Sequence, residues 1–155
     1  MTQGHGSIEG QYMVFVLGRE EYGISLRKVR EILGPGDIHS RESNGACVRG
    51  MVKVHNQMIP ILDLYCRFGL SSSASKEGGS ILITSFGPHG VLVGLMVDSI
   101  REVVQIGADF LEQTTISRDD PRAEFVVGLA KMEERVIHLL NLEKRGDLLP
   151  SFSLV

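Results

Sequence analysis

The chain has 155 residues, with 16 Lys and Arg against 19 Asp and Glu, a formal net charge of −3, 43% apolar and 23% charged residues. This length suits one domain, or two small subdomains sharing a core, and the composition is that of an ordinary soluble globular protein. The negative charge argues against a nucleic-acid surface, which needs clustered Lys and Arg, and the lack of a long apolar run or secretion signal argues against membrane insertion and for the cytosol.

Met1 to Gly10 is Gly-rich and nearly free of large apolar side chains, which predicts a flexible arm. Gln11 to Leu17 reads as a strand, Gly18 to Glu21 as a polar turn and Tyr22 to Leu26 as the returning strand. Arg27 to Glu31 breaks the alternation: Leu26, Val29 and Leu33 fit a helical turn, and Ile32 resumes a short strand that stops at Gly34-Pro35-Gly36. Asp37 to Ala46 is a polar surface loop, after which Cys47 and Val48 begin a strand. That strand leads into Gly50 to Leu64, two apolar arms folded about His55, Asn56 and Gln57, with Pro60 bending or edging the second arm. Tyr65 to Leu70 has room for one short helix ended by Gly69, and Ser71 to Gly79 is the clearest linker.

Ser80 to Phe86 and Val91 to Val97 form a second hairpin about Gly87-Pro88-His89-Gly90, and Asp98 to Val104 echoes the Val29 to Leu33 region. Ile106 to Glu124 is a longer polar connection that turns at Asp119-Asp120-Pro121. Phe125 to Leu142 is another apolar hairpin, followed by a short terminal helix over Glu143 to Leu149 and a loose tail.

Several of these segments repeat. GMVKVHNQMIPILDL at 50–64 aligns without a gap on GLAKMEERVIHLLNL at 128–142, which sets Ile59 on Ile137, Leu62 on Leu140 and Leu64 on Leu142. YGISLRKVREIL at 22–33 aligns on VGLMVDSIREVV at 93–104. The pairs keep their order, so one unit occurs twice. Each unit supplies about five short strands, enough to curl into a small barrel with little interior of its own. The expected fold is all-β: two small five-stranded SH3-like β-barrel subdomains with pseudo-twofold duplication and one or two short helices, packed over an apolar layer larger than either interior. The expected division is an arm over 1–10, one domain over 11–146 and a tail over 147–155. Within the domain, subdomain one spans about 11–70, a linker 71–79 and subdomain two about 80–146.

Catalytic templates are absent: the sequence holds no GxSxG, Walker loop, GxGxxG or HExxH. His5, His39, His55, His89 and His138 are scattered without ligand spacing, and His138 reads as a partly buried sheet residue. Cys47 and Cys66 are too few for a disulfide framework and match no metal pattern, so they are expected to be reduced. No cofactor and no metal is expected. The acidic pairs Glu20-Glu21, Asp119-Asp120 and Glu133-Glu134 fall in predicted turns and read as solvated charge. The repeated Arg-Glu, Arg30-Glu31 and Arg101-Glu102, is either a structural ion pair guarding a sheet edge or the polar rim of an apolar groove where a partner helix lies.

The run EEYGISLRKVREIL, then GMVKVHNQMIPILDL, VGLMVDSIREVV and GLAKMEERVIHLLNLEK closely resembles the CheW-like coupling proteins of bacterial chemotaxis, over about residues 11 to 146. The resemblance implies two five-stranded barrels. It also implies a non-enzymatic adaptor that binds the cytoplasmic tip of chemoreceptor helical bundles and the regulatory domain of the histidine kinase CheA. By position, Val29 and Glu31 match residues important for that coupling, with Ile32 in the same candidate surface and the receptor helix expected in the groove between subdomains. Val93, Ile100 and Val103 match the side that meets the kinase. The family commonly carries NLRG at the hairpin tip where this chain has KVHN, so His55 replaces Arg and Asn56 replaces Gly. A bidentate Arg contact should therefore be weaker or absent, which implies a divergent coupling protein of altered partner choice, serving surface or pilus-driven motility. Two alternatives are a small-molecule-binding barrel, which needs an open interior, and a nucleic-acid-binding barrel, which needs exposed aromatics and a basic groove.

Overall fold

Alternating apolar side chains build twelve strands in the computed structural model, which describes residues 9–40, 47–70 and 79–142. They are β1 (Gly10–Leu17), β2 (Glu20–Ser25), β3 (Val29–Leu33), β4 (Ile38–Ser40), β5 (Val48–Val54), β6 (Gln57–Asp63), β7 (Ser80–Phe86), β8 (Val91–Val97), β9 (Ser99–Ile106), β10 (Leu111–Glu112), β11 (Val126–Met132) and β12 (Arg135–Leu140). One short α-helix, α1 (Leu64–Arg67), follows β6. Asp63 caps it, its carboxylate accepting from the Tyr65 and Cys66 N–H groups, and Gly69 ends the segment with a left-handed φ of 71°.

Some boundaries differ from expectation for local reasons. β2 already starts at Glu20, so Glu20 and Glu21 are strand residues rather than turn residues. The break near Arg27 is a single 3-10 turn over Leu26–Lys28, held by the Ser25 hydroxyl accepting from the Arg27 N–H, and β3 begins at Val29. The expected loop after Gly36 contains β4, because Ile38 pairs with Val52 and packs its half-buried side chain against the interior of that sheet. The connection after Ile106 contains β10 and 3-10 turns over Ala108–Phe110 and Pro121–Glu124. Of the expected arm over 1–10, Gly10 already belongs to β1 and residues 1–8 lie outside the described residues, as do 71–78 of the linker expected over 71–79, the terminal helix and the tail.

The strands form two six-stranded sheets that exchange elements between the repeats. The first runs β10-β11-β12-β2-β1-β9 and the second β3-β7-β8-β6-β5-β4. The halves 11–70 and 80–146 therefore describe the repeat and not the sheets: each sheet combines the opening hairpin of one unit with the remaining strands of the other. The two seams are equivalent parallel pairings, β12 beside β2 with Leu139 opposite Gly23, and β6 beside β8 with Ile61 opposite Gly94. A side chain at Gly94 would press on Ile81, and one at Gly23 on Ile137 and Leu139, which explains why the aligned glycine recurs.

Three apolar clusters follow from which face of each strand a residue occupies. Tyr12, Val14, Ile106, Ala130, Ile137 and Leu139 fill the interior of the first sheet. Val52, Val54, Ile59, Ile61, Ile81 and Ile83 fill the second. Between the sheets lies a larger shared layer including Met13, Phe15, Leu17, Tyr22, Leu62, Leu64, Leu82, Phe86, Leu140 and Leu142. Aligned positions fall in equivalent places: Ile59 and Ile137 point into barrels, whereas Leu62 and Leu140 point into the shared layer. The all-β double-barrel expectation holds, with six strands to a sheet rather than five.

The cysteines depart from expectation. Cys47 and Cys66 form a disulfide, with Cα atoms 5.3 Å apart, that joins the start of β5 to α1. Their separation of 19 residues carried no sign of this contact, which arises because β5 and β6 fold back on each other and the Asp63 N–H donates to the Cys47 carbonyl at 2.8 Å.

Candidate partner-binding surface

The repeated Arg-Glu marks the same irregularity in both sheets. Along β3, Val29 faces Thr84 and Glu31 faces Ile83, which leaves Arg30 as an extra residue. Along β9, Ile100 faces Phe15 and Glu102 faces Val14, which leaves Arg101 extra. Each arginine occupies a β-bulge, a feature that bends the strand and re-aims its neighbours.

The two copies then put their charges to different uses. On β9, Arg101 Nε lies 3.3 Å from Glu21 Oε2, while Arg135 reaches Glu21 at 3.0 Å and Glu102 at 2.8 Å. This network crosses β12, β2, β1 and β9, so the second Arg-Glu is tied into the sheet. On β3, Arg30 donates to the Arg27 carbonyl at 2.7 Å and, among the described residues, Glu31 makes a long contact of 3.7 Å with His55 Nε2. That contact joins two candidate residues from separate elements.

β3 is an edge strand, and its Ile32 side chain is exposed. Beside it, His55 and Asn56 form the two-residue turn between Val54 and Gln57, with φ of 50° and 67°. Positive φ at both positions is the geometry of a primed hairpin turn, which Gly and Asn adopt readily and which His adopts more often than most other side chains do. Val29, Glu31, Ile32, His55 and Asn56 therefore share the second sheet. Ile100 and Val103 lie on β9 of the first; Val103 is exposed, and Ile100, like its counterpart Val29, packs partly against the shared layer. Val93 is corrected: it is completely buried in that layer, as is its counterpart Tyr22, and presents no surface to a partner.

The acidic pairs also need correction. Glu21 is largely buried in the network just described, and Glu20 binds Arg122 at 2.7 Å. Asp120 caps the turn over Pro121–Glu124 and binds Arg122 at 2.9 Å, so only Glu133-Glu134 stands as solvated turn charge. Arg122 also donates to the Tyr22 hydroxyl at 2.9 Å, and the Tyr22 and His138 rings lie 5.1 Å apart. Burial pushes the Tyr22 phenol up to about 12 and the His138 imidazole below its ordinary value, while the hydrogen bond from Arg122 lowers Asp120. These groups fasten the connection before β11 onto β2 and β12; they neutralise one another and leave no general base facing an open site.

One apolar feature carried no sequence expectation. β6 and β8 pair only from Ile61 and Gly94 onward. Before that point they part around a cleft of about 550 Å³ lined by Met58, Pro60, Val91 and Leu92, with Met58 and Val91 exposed. Pro60, which lacks an N–H for the ladder, was the available signal. The two barrel interiors are filled by the side chains named above, leaving a small-molecule reading without an enclosed site there. Among the described residues, no group of three or more His, Cys, Asp and Glu is placed to hold a metal. Nor does any helix have the length and apolarity to cross a membrane.

A duplicated double barrel whose distinctive exposed groups are edge-strand and turn residues, rather than a cleft of titratable ones, is the structure of a protein-interaction module. A CheW-like domain model matches residues 11–147, and the chain belongs to that family. It is 28% identical over 140 residues to a chemotaxis protein CheW of Klebsiella aerogenes, covering 90% of this chain and 83% of the other. It is 24% identical to a chemotaxis protein CheW of Treponema pallidum, covering 86% and 80%. The crystal structure of the scaffolding protein TtCheW from Thermoanaerobacter tengcongensis is similar with a TM-score of 0.75 and 26% identity, covering 88% of this chain and 91% of that one.

Proposed function

We propose that the chain is a non-enzymatic, cytoplasmic chemotaxis adaptor that couples the helical tip of chemoreceptors to the regulatory domain of a CheA-type histidine kinase. The observation that carries this reading is the bulged β3 edge, where exposed Ile32 and half-buried Val29 flank the charged pair Arg30 and Glu31 along one edge strand. An apolar centre with a charged rim suits an amphipathic receptor helix, and a few such anchors contribute about 1–3 kcal/mol each. Ile100 and Val103, on the other sheet, offer the kinase a separate surface. His55 presents a single nitrogen to Glu31 where an arginine would present a two-bond fork, so the tip is the point of altered partner choice. A system of surface or pilus-driven motility is the expected setting.

The test is co-sedimentation of the purified protein with membranes carrying receptor and kinase. Wild type is expected in the pellet and His55→Arg is expected to increase its recovery. If neither sediments above a no-receptor control, the adaptor reading fails.

A further inference from the structure

We propose that Cys47 and Cys66 are a reversible redox modification site, a dithiol/disulfide pair whose state sets how firmly α1 holds the connection that precedes β11. The inference rests on the cytoplasmic reading above, because glutathione in that compartment makes an accessible protein disulfide an exchangeable bond rather than a fixed staple.

The two sulfurs are kept within bonding reach by contacts that do not depend on the bond between them. The Asp63 N–H donates to the Cys47 carbonyl at 2.8 Å. The Asp63 carboxylate accepts from the Tyr65 N–H at 2.9 Å and the Cys66 N–H at 3.4 Å, and also from Arg49 Nε at 2.9 Å. Asp63 therefore grips the start of β5 through Cys47 and Arg49, and the first turn of α1 through its capping bonds. The Cα separation of 5.3 Å lies in the range a disulfide requires. A dithiol held in this way reoxidises without a search.

Access is asymmetric. Cys66 is exposed, whereas Cys47 is half-buried against the shared apolar layer. A glutathione thiolate can thus attack Cys66 Sγ, forming a mixed disulfide and expelling the Cys47 thiolate. A second thiolate attacks the glutathione sulfur, releasing glutathione disulfide and the Cys66 thiolate. The reverse sequence closes the bond, with glutathione disulfide taking up the two electrons and two glutathione thiols leaving.

The bond is placed to affect the other sheet. Beyond Cys66, Arg67 pairs with Glu124 at 3.1 Å and its guanidinium lies 5.3 Å from the centre of the Phe125 ring. Phe68 packs between Tyr22 and Phe125, at 5.5 and 5.8 Å, and Gly69 lies close against Pro121. One end of α1 is thus fastened to β5 of the second sheet and the segment after it to residues 121–125 of the first. Reduction removes the covalent fastening and leaves that end of α1 held to β5 by the Asp63 hydrogen bonds, with Leu64, Tyr65 and Phe68 still packed in the shared layer.

The full chain is equilibrated across glutathione buffers from fully reducing to mostly oxidised, and free thiols are trapped with N-ethylmaleimide and counted by intact mass. The oxidised fraction is expected to pass through one half at ratios a bacterial cytoplasm covers. Amide exchange over residues 64–70 and 121–126 is expected to be about threefold or more faster in the reduced protein. Cys66→Ser should show the reduced pattern in every buffer, and comparing the two wild-type states needs no variant to fold. A pair still closed in the most reducing buffer is a fixed staple, one still open in the most oxidising buffer is no site, and equal exchange in both states means no coupling; each overturns the proposal. None of these readouts involves receptor or kinase, so the adaptor reading stands or falls separately.

Discussion

Replacing Gly94 with alanine should destabilise the protein through one contact. The added Cβ would lie 2.9 Å from Ile81 Cγ2, 3.4 Å from Ile83 Cδ1 and 3.6 Å from the Pro60 carbonyl oxygen. Carbon pairs pack best at about 3.5–4.0 Å, so the first contact is too short by more than half an ångström. Ile81 cannot easily yield, since its Cγ2 is fixed by a stiff β-branched rotamer and the residue is buried inside the second sheet. Overpacking of this kind costs about 1–3 kcal/mol, against which the reduced freedom of the unfolded chain returns about 0.4–1 kcal/mol. The net expectation is a loss of about 1–2 kcal/mol, or roughly 2–8 °C in Tm for a chain of this size. Gly23→Ala is the internal comparison, because its Cβ would meet Ile137, Leu139 and Tyr12 at 3.3–3.4 Å and small adjustments suffice. Urea denaturation followed by circular dichroism measures both, and again in an Ile81→Ala background, where the Gly94 cost should largely vanish. If Gly94→Ala is as stable as wild type, or costs the same without Ile81, the packing argument for the conserved seam position in the repeat is wrong.

Two further substitutions separate surface from core. Ile32→Arg should leave the urea midpoint within about 0.5 kcal/mol of wild type while reducing co-sedimentation with receptor and kinase, whereas Val93→Ala should lose about 2 kcal/mol of stability; the reverse pattern would undo the assignment of exposed and buried candidates. Stability should also rise with pH on account of His138. Burial holds its folded pKa below 6.5, partly opposed by Glu20 and Asp120, while Arg122 acts with burial. The unfolded chain therefore binds the proton more tightly, so the imidazole's stabilising contribution is full above pH 6.5 and declines as pH falls through that value towards the folded pKa. Denaturant melts between pH 5 and 7.5 should show a slope in wild type that is reduced in His138→Gln, and equal slopes would remove His138 as its source.

The fold was legible because the repeat and the alternation agree. Ile59 with Ile137 and Leu62 with Leu140 reach equivalent faces, and the glycine shared by residues 23 and 94 lies on equivalent seams. Which hairpin joined which sheet was not legible, since the apolar pattern is the same for either pairing. The site was legible only in part. Ile32 and Val103 alternate outward as expected, but Val93 follows its counterpart Tyr22 into the shared layer. Glu20-Glu21 misled because local composition suggests solvent while Arg122 and Arg135 approach from 100 or more residues away, and Asp120 because its capping bonds to Arg122 form only once the turn over Pro121–Glu124 has closed. The disulfide was hidden for the same reason: the proximity of Cys47 and Cys66 is a property of the β5–β6 hairpin and of Asp63.

The exchange of hairpins between sheets has a consequence for the order of assembly. The opening pair β1 and β2 finds its neighbours in β9 and β12, so the first barrel has no closed form until about residue 140 has been synthesised. The second barrel needs only residues up to 97 and can close while the chain is still being made. The N-terminal hairpin must then wait beside a finished barrel that already presents Leu62, Leu82 and Leu95. That barrel is a template on which the waiting hairpin can lay Phe15 and Tyr22 before its own partners arrive, and β12, the last strand among the described residues, is the one that locks it in place.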